Sequence, residues 1–305
     1  MIVEAILLTV ITASTPLVIA AVGELVSERA GVLNLGVEGM MIIGAVCAFI
    51  ATQWTGTPYL GLLVGVATGA LFSLLFGFLT LSLVANQVAT GLALTILGLG
   101  VSGMLGESFV GVPGVKMQPI AIPLLSEIPF LGPLLFNQDI FFYLSIALVV
   151  GVNWFLFRSR AGLRLRAIGD NHGSAHTLGI PVLRTRYLAV MFGGACAGLA
   201  GAQLSLVYTP QWVENMSGGR GWIALALVVF AAWRPWRLLA GGYLFGAVTI
   251  GQLHAQALGI GLPSQFLSAL PYAATIVVLI IISHNRRTTL INTPACLGKP
   301  FVPDR

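Results

Sequence analysis

The sequence predicts an all-α, polytopic helical membrane protein with about nine (eight to ten) transmembrane helices in a single domain, residues 1–305. Three observations predict it. First, 57% of the residues are hydrophobic and only 8% are charged, whereas a soluble domain carries about 25% charged residues. Second, the charges leave long gaps. None occurs over 40–105 or 188–212, and over 239–284 only His254 and His284 titrate besides tyrosine. One crossing of the hydrocarbon core needs about 20 apolar residues, so these gaps hold several crossings. Third, the basic residues sort to one side. If the arginine-rich stretch 158–186 is placed inside and the spans alternate, Arg29, Arg234, Arg237, Arg286 and Arg287 also fall inside. Only Lys116 and Arg220 fall outside, as the positive-inside rule requires.

The first span is 5–22. It reads as a retained membrane segment and not a cleaved signal peptide, because Glu4 stands where a basic n-region would and no small-residue cleavage site follows. A short polar link, 23–29, leads to 31–39 and an apolar run to residue 51. Thr55-Gly56-Thr57-Pro58 is a turn. Spans at 59–84 and 88–105 are separated by Asn86-Gln87. The stretch 107–138 holds Pro113, Pro119, Pro123, Pro129 and Pro133, too many to continue a helix, and reads as an external loop. Further spans follow at 140–157, 187–207, 222–233 (short), 238–258 and 266–282, with a tail over 285–305. This layout gives nine crossings with the N-terminus outside. A broken helix around 34–38, or one more crossing, gives ten and moves it inside.

The net charge of +5 does not point to nucleic acid, because the basic residues flank apolar spans instead of forming a face. Cys47, Cys196 and Cys296 lack paired spacing for a metal or a disulfide, and no cofactor is called for. There is no His-Glu-x-x-His, no Gly-x-Ser-x-Gly and no phosphate-binding Gly-x-x-x-x-Gly-Lys-Ser/Thr. The chain is therefore not expected to be an enzyme, and if it pumps, ATP is hydrolysed elsewhere.

Two sets of residues stand out. The first is the polar stretch 158–180. From Arg158 to Arg186 there are six arginines and one acid, Asp170. Leu163, Ala167 and Ile168 recur at roughly helical spacing with Arg164 and Arg166 between them. Gly169 and Asp170-Asn171 supply a stop and a cap for a second short helix, which ends at Gly179-Ile180-Pro181. The second set is polar and intramembrane, where polarity is costly and marks a helix partner or a cavity. Glu38 follows Asn34 by four residues, which puts both on one helical face. Glu38 either caps neighbouring backbone at a helix break or lines a pathway. Asn86 and Thr90 are also four apart, beside Gln87, and Asn86 is equally a helix cap. Gln203 lies deep in its span. Trp212, Trp233 and Trp236 read as interface anchors, and His254 as a packing histidine or a proton relay.

The order Gly-Leu-x-Leu-Arg-Ala-x-Gly-Asp-Asn over 162–171, followed by Ala175 and Leu178-Gly179-Ile180, resembles the cytoplasmic coupling loop of bacterial ABC-importer permeases. The branch is the one serving simple sugars, nucleosides and branched-chain amino acids. Four other blocks resemble the family in the right order: 28–39, then 86–94, then 219–226 with 233–235, then 263–275. The second of these looks like the nucleoside-type permeases associated with lipoprotein binding proteins. The chain departs from the family at His172 and Gly173, where Pro and Glu are usual, and at His176, where an acid is usual. The resemblance implies a permease subunit in the bacterial inner membrane, forming half of a translocation pathway for a small neutral solute, a nucleoside first. It further implies a separate cytoplasmic ATPase subunit, a second and non-identical permease, and a periplasmic or lipid-anchored substrate-binding protein. Arg164, Arg166, Gly169, Asp170, Asn171, Ala175 and Gly179 would then couple to the ATPase. Asn34, Glu38, Asn86, Gln87, Thr90 and Gln203 would line the pathway. A stand-alone channel or carrier, coupled through Glu38, is the alternative that needs no such loop. A sugar, a riboflavin-like compound or a branched-chain amino acid is the alternative solute.

Overall fold

The computed structural model describes residues 2–123, 125–257 and 292–302, together with 265, 266, 269, 270, 273, 276, 277 and 280. Helices dominate, in the order α1 (Ile2–Arg29), α2 (Val37–Thr55), α3 (Pro58–Gly77), α4 (Gln87–Gly106), α5 (Ile140–Arg158), α6 (Arg160–Asp170), α7 (His172–Thr177), α8 (Val182–Gln203), α9 (Arg220–Phe230) and α10 (Pro235–Ala257). Wide-turn segments, Phe78–Ser82 and Leu204–Tyr208, prolong α3 and α8. The proline-rich loop contributes the two short strands, β1 (Ile120–Ala121) and β2 (Asn137–Gln138). They pair antiparallel, with Ile120 opposite Gln138 and Ala121 opposite Asn137.

Among the described residues, seven helices are long and apolar enough to cross a membrane, against the nine read from the sequence. The 222–233 segment is one difference. It forms α9, which at 11 residues spans roughly 16 Å and falls well short of the hydrocarbon core. The other is 266–282, which lies largely outside the described residues, as does most of the 263–275 block. A second correction concerns 23–29. These residues are not a link but the last two turns of α1, whose polar side chains Glu24, Ser27, Glu28 and Arg29 are all buried.

The inner helices are α1, α2 and α8, and α3, α4, α5 and α10 present open outer faces. Glycine sets how closely the inner helices approach. A Cβ at Gly198 of α8 would overlap the Gly65 carbonyl oxygen of α3, and one at Gly44 of α2 would overlap Gly198 Cα. Neither contact tolerates a side chain, so backbone packs on backbone, the usual route to tight association where lipid supplies no hydrophobic drive. The principal buried cluster runs through Leu25, Met40, Met41, Phe76, Ala197 and Leu206.

Candidate functional site

Two constructions occupy the polar positions marked in the sequence. The first is the α6–α7 module. Ser159 Oγ accepts from Gly162 N at 2.9 Å to start α6, and Asn171 Oδ1 accepts from Ser174 N at 3.0 Å to start α7, both ordinary N-caps. α7 ends at Thr177, and Gly179 takes a φ of +77°, a value that glycine adopts without strain. Arg164, Asp170, Asn171 and Gly179 are exposed. Arg166 is half-buried, with its guanidinium 5.2 Å from the centre of the Phe157 ring. Gly169 and Ala175 point inward. Ala175 packs with Ile168, Val182 and Phe301, and a Cβ at Gly169 would overlap Arg29 O at the end of α1. These two shape the module and offer no surface. Leu163 and Leu178 do offer one, at 59% and 79% exposed.

A strap made from residues 292–302 holds the module down. Cys296 N donates to Gly169 O at 2.8 Å, and Gly298 N to Gly31 O at 3.2 Å. Phe301 is buried beneath the rings of His172 and His176, with centroids 5.2 and 5.4 Å away. Arg186 of α8, wholly buried, ties the parts together. Its Nε donates to Ala30 O at 3.1 Å, Nη1 to Lys299 O at 3.2 Å and Nη2 to His172 Nδ1 at 3.1 Å. Arginine can only donate, so the contact requires an unprotonated Nδ1. Burial, then the nearby charges of Arg186 and Lys299, lower the His172 pKa from its ordinary value. Sequence reasoning missed this strap. The one available signal was Arg186, the last arginine of the basic stretch, directly before an apolar span.

The second construction surrounds the break between α1 and α2, residues 30–36. Leu33 N donates to Gln87 Oε1 at 2.8 Å and Asn34 N to Glu24 Oε1 at 3.1 Å. Asn34 Oδ1 accepts from Gly36 N at 2.9 Å, closing an Asx turn. Asn34 therefore lies in the break and not on the face of α2 that carries Glu38. Glu38 itself caps α9. Its Oε1 accepts from Ser217 Oγ at 2.5 Å and Gly219 N at 2.8 Å, and its Oε2 from Gly221 N at 2.6 Å. Of its two roles open from the sequence, this is the cap. Asn86 is exposed and caps α4 through Ala89 N at 3.0 Å. Thr90 is half-buried one turn further on. Gln203 is buried, with Nε2 donating to Thr12 O at 3.1 Å. Trp212 and Trp233 are buried and so are not interface anchors. The Trp233 indole donates to Glu28 Oε2 at 2.6 Å. Trp236 is exposed. His254 Nδ1 meets Ile250 O of its own helix at 3.0 Å.

A bundle of membrane-length helices, with a basic two-helix module strapped between two of them, defines a multi-pass membrane protein. Residues 6–282 match the family described as the permease component of the branched-chain amino acid transport system, and the chain belongs to that family of ABC transporter permeases in the inner membrane. It is 42% identical, over 95% of both chains, to a Haloferax volcanii protein named "Putative glucose ABC transporter permease protein TsgC13". It is 34% identical to the nucleoside ABC transporter permease protein NupC of Lactococcus lactis and 33% identical to the guanosine ABC transporter permease protein NupQ of Bacillus subtilis. Each of these two alignments covers 87% of this chain and 88% of the relative. No solved structure matches the chain.

Proposed function

We propose that the chain forms half of the translocation pathway of an ATP-driven importer for a small neutral solute built on a sugar ring. Family membership carries the importer reading, and the α6–α7 module supplies the part on which a separate ATPase would act. Arg164, Asp170 and Asn171, with Leu163 and Leu178 beside them, form a mixed polar and apolar surface on a cytoplasmic face. A switch driven through it requires the ATPase dimer to contact this surface differently in its two states. Because the module packs against the end of α1 and is tied through Arg186 and the strap to the α1–α2 break, a push on it reaches the inner helices. Asn86 and Thr90, at the start of α4, are the predicted pathway residues a solute can reach. Asn34, Glu38, Gln87 and Gln203 support the pathway by holding backbone. A substrate-binding protein and a second permease complete the machine.

The relatives' names offer a free sugar and a nucleoside, and both suit a pathway without free fixed charge. The higher identity to the glucose-named relative favours the sugar. Uptake of labelled glucose and of labelled guanosine should be measured in cells expressing this chain with its binding protein, ATPase and partner permease. Glucose uptake that is lost with the ATPase is the expected result. Guanosine uptake alone would transfer the assignment to nucleosides, and uptake surviving without the ATPase would refute the importer.

A further inference from the structure

A cavity of about 640 Å³ lies between α5, α6 and α8, with Val26 of α1 in its wall, and none of the predicted pathway residues lines it. Its wall is apolar, made by Leu144 and Gly151 of α5 and Leu188 and Phe192 of α8. Its polarity is confined to one end, where Arg164 of α6 and Thr185 of α8 stand at the rim. Arg158, Arg160 and Arg184 are exposed in the segments that border this end, and the single acid of the stretch is Asp170. From Leu144 to Phe155, both of which line the cavity, α5 climbs roughly 16 Å. That is close to one leaflet, half of a hydrocarbon core of about 30 Å. Ala147 and Gly151 lie one turn apart on the cavity side of α5 and are exposed. A Cβ added at Gly151 would meet nothing within 4 Å.

We propose that this groove binds one phospholipid with an anionic headgroup. One acyl chain would run along α5, and the phosphate would meet Arg164 at the cytoplasmic rim. Three features select this occupant. The apolar wall gives a sugar or nucleoside nothing to hydrogen-bond. The depth fits a chain of one leaflet. The cationic rim, with an excess of arginine over acid, complements a negative headgroup, as in basic pockets between membrane helices. The lipid would wedge between α5–α6 and α8, and so would steady α6, leaving Asp170, Asn171, Leu163 and Leu178 for the cytoplasmic surface.

Native mass spectrometry of the delipidated, detergent-solubilised chain tests this with added phosphatidylglycerol and phosphatidylcholine at equal concentration. The expected result is one retained phosphatidylglycerol, favoured at least about tenfold over phosphatidylcholine. Gly151→Leu, which fills open space, should abolish retention while gel filtration and circular dichroism stay unchanged. Arg164→Gln should keep lipid binding but reduce the preference to near parity, so the proposal stands or falls even if the first variant does not fold. Equal binding of both lipids by the unaltered chain, or phosphatidylglycerol retained by folded Gly151→Leu, would overturn it. So would a disulfide formed between a cysteine placed at Ala147 and one placed within 266–282, since another part of the chain would then fill the groove.

Discussion

Pro16 removes a backbone donor from the middle of α1, and a glutamine on another helix makes good the loss. Without an N–H at position 16, the carbonyl four residues back has no helical partner. That carbonyl is Thr12 O, the one to which Gln203 Nε2 donates. Gln203→Leu should therefore destabilise the chain by about 1–3 kcal/mol, the cost of an unsatisfied buried acceptor. Adding Pro16→Ala should restore most of it, because the new backbone N–H at that position would then serve Thr12. Thermal unfolding in detergent reads both, and no recovery in the double variant would contradict this account. Glu38 presents a different residue-scale case. Glutamine can keep accepting from Ser217 and Gly219 through its oxygen, but its amide would face the Gly221 N–H, donor against donor. Glu38→Gln should thus cost on the order of 2–3 kcal/mol and fray α9, which hydrogen exchange at residues 220–224 would register. That intramembrane polar residues need partners was legible in the sequence. Their partners were not. Helical spacing placed Asn34 and Glu38 on one face, but the backbone breaks between them: Asn34 closes its own turn and bonds Glu24 of α1, whereas Glu38 is claimed by the distant stretch 217–221.

At the scale of elements, α6 and α7 were legible because they carry local signals: Asn171 as a cap, Gly179 as a stop, and apolar residues at helical spacing; the Ser159 cap of α6 emerged only in the structure. What holds them in place was not legible, since the strap binds mainly through backbone N–H and C=O groups, which leave no mark in composition. Two expectations follow for the module. Gly169→Val puts bulk against Arg29 O and should lift α6 from the end of α1. ATP-driven uptake should then fall more than about tenfold while binding-protein delivery to the outer face persists; normal uptake in that variant would remove the rigid-module reading. The second concerns pH. The folded pKa of His172 lies below its unfolded value of about 6.5, so within that window the unfolded chain binds the extra proton and stability falls as pH falls. The contribution of the contact with Arg186 is complete above about pH 6.5 and is lost as pH drops through the lowered folded value. The melting temperature should accordingly decline faster from about pH 7 to about pH 5 in the unaltered chain than in His172→Gln.

For the molecule as a whole, charge-free runs predicted the long helices well, because a membrane span is a local property of about 20 residues. They overcounted at 222–233, where an apolar run forms a helix too short to cross, with Ala224, Leu225, Leu227 and Val228 packed inward. α9 is short because Glu38 fixes its start, and because Ala232 and Trp233, both at positive φ, end its path. Such residues are rare outside glycine. Trp233 is held in place by Glu28 at its indole and by Arg29 Nη2 at its carbonyl, 3.1 Å away. Deleting residues 292–305 tests the assembly at this scale. The transmembrane bundle should survive, with helicity nearly unchanged, while trypsin cleavage at the arginines of 158–166 accelerates several-fold. Unchanged cleavage would mean that the strap does not restrain the module.

The strap also bears on biosynthesis. The module emerges from the ribosome well ahead of the strap, which lies far downstream in the chain and binds mainly through its peptide groups. Until synthesis has passed Phe301, α6 and α7 lack the contacts of Cys296, Lys299 and Phe301, and Arg186 lacks one of its three acceptors. The strapped form of the module is therefore complete only on a chain translated to this point. If an ATPase docks on the module as proposed, its recruitment is a late event in the life of the permease, and unfinished chains would be poor competitors for it.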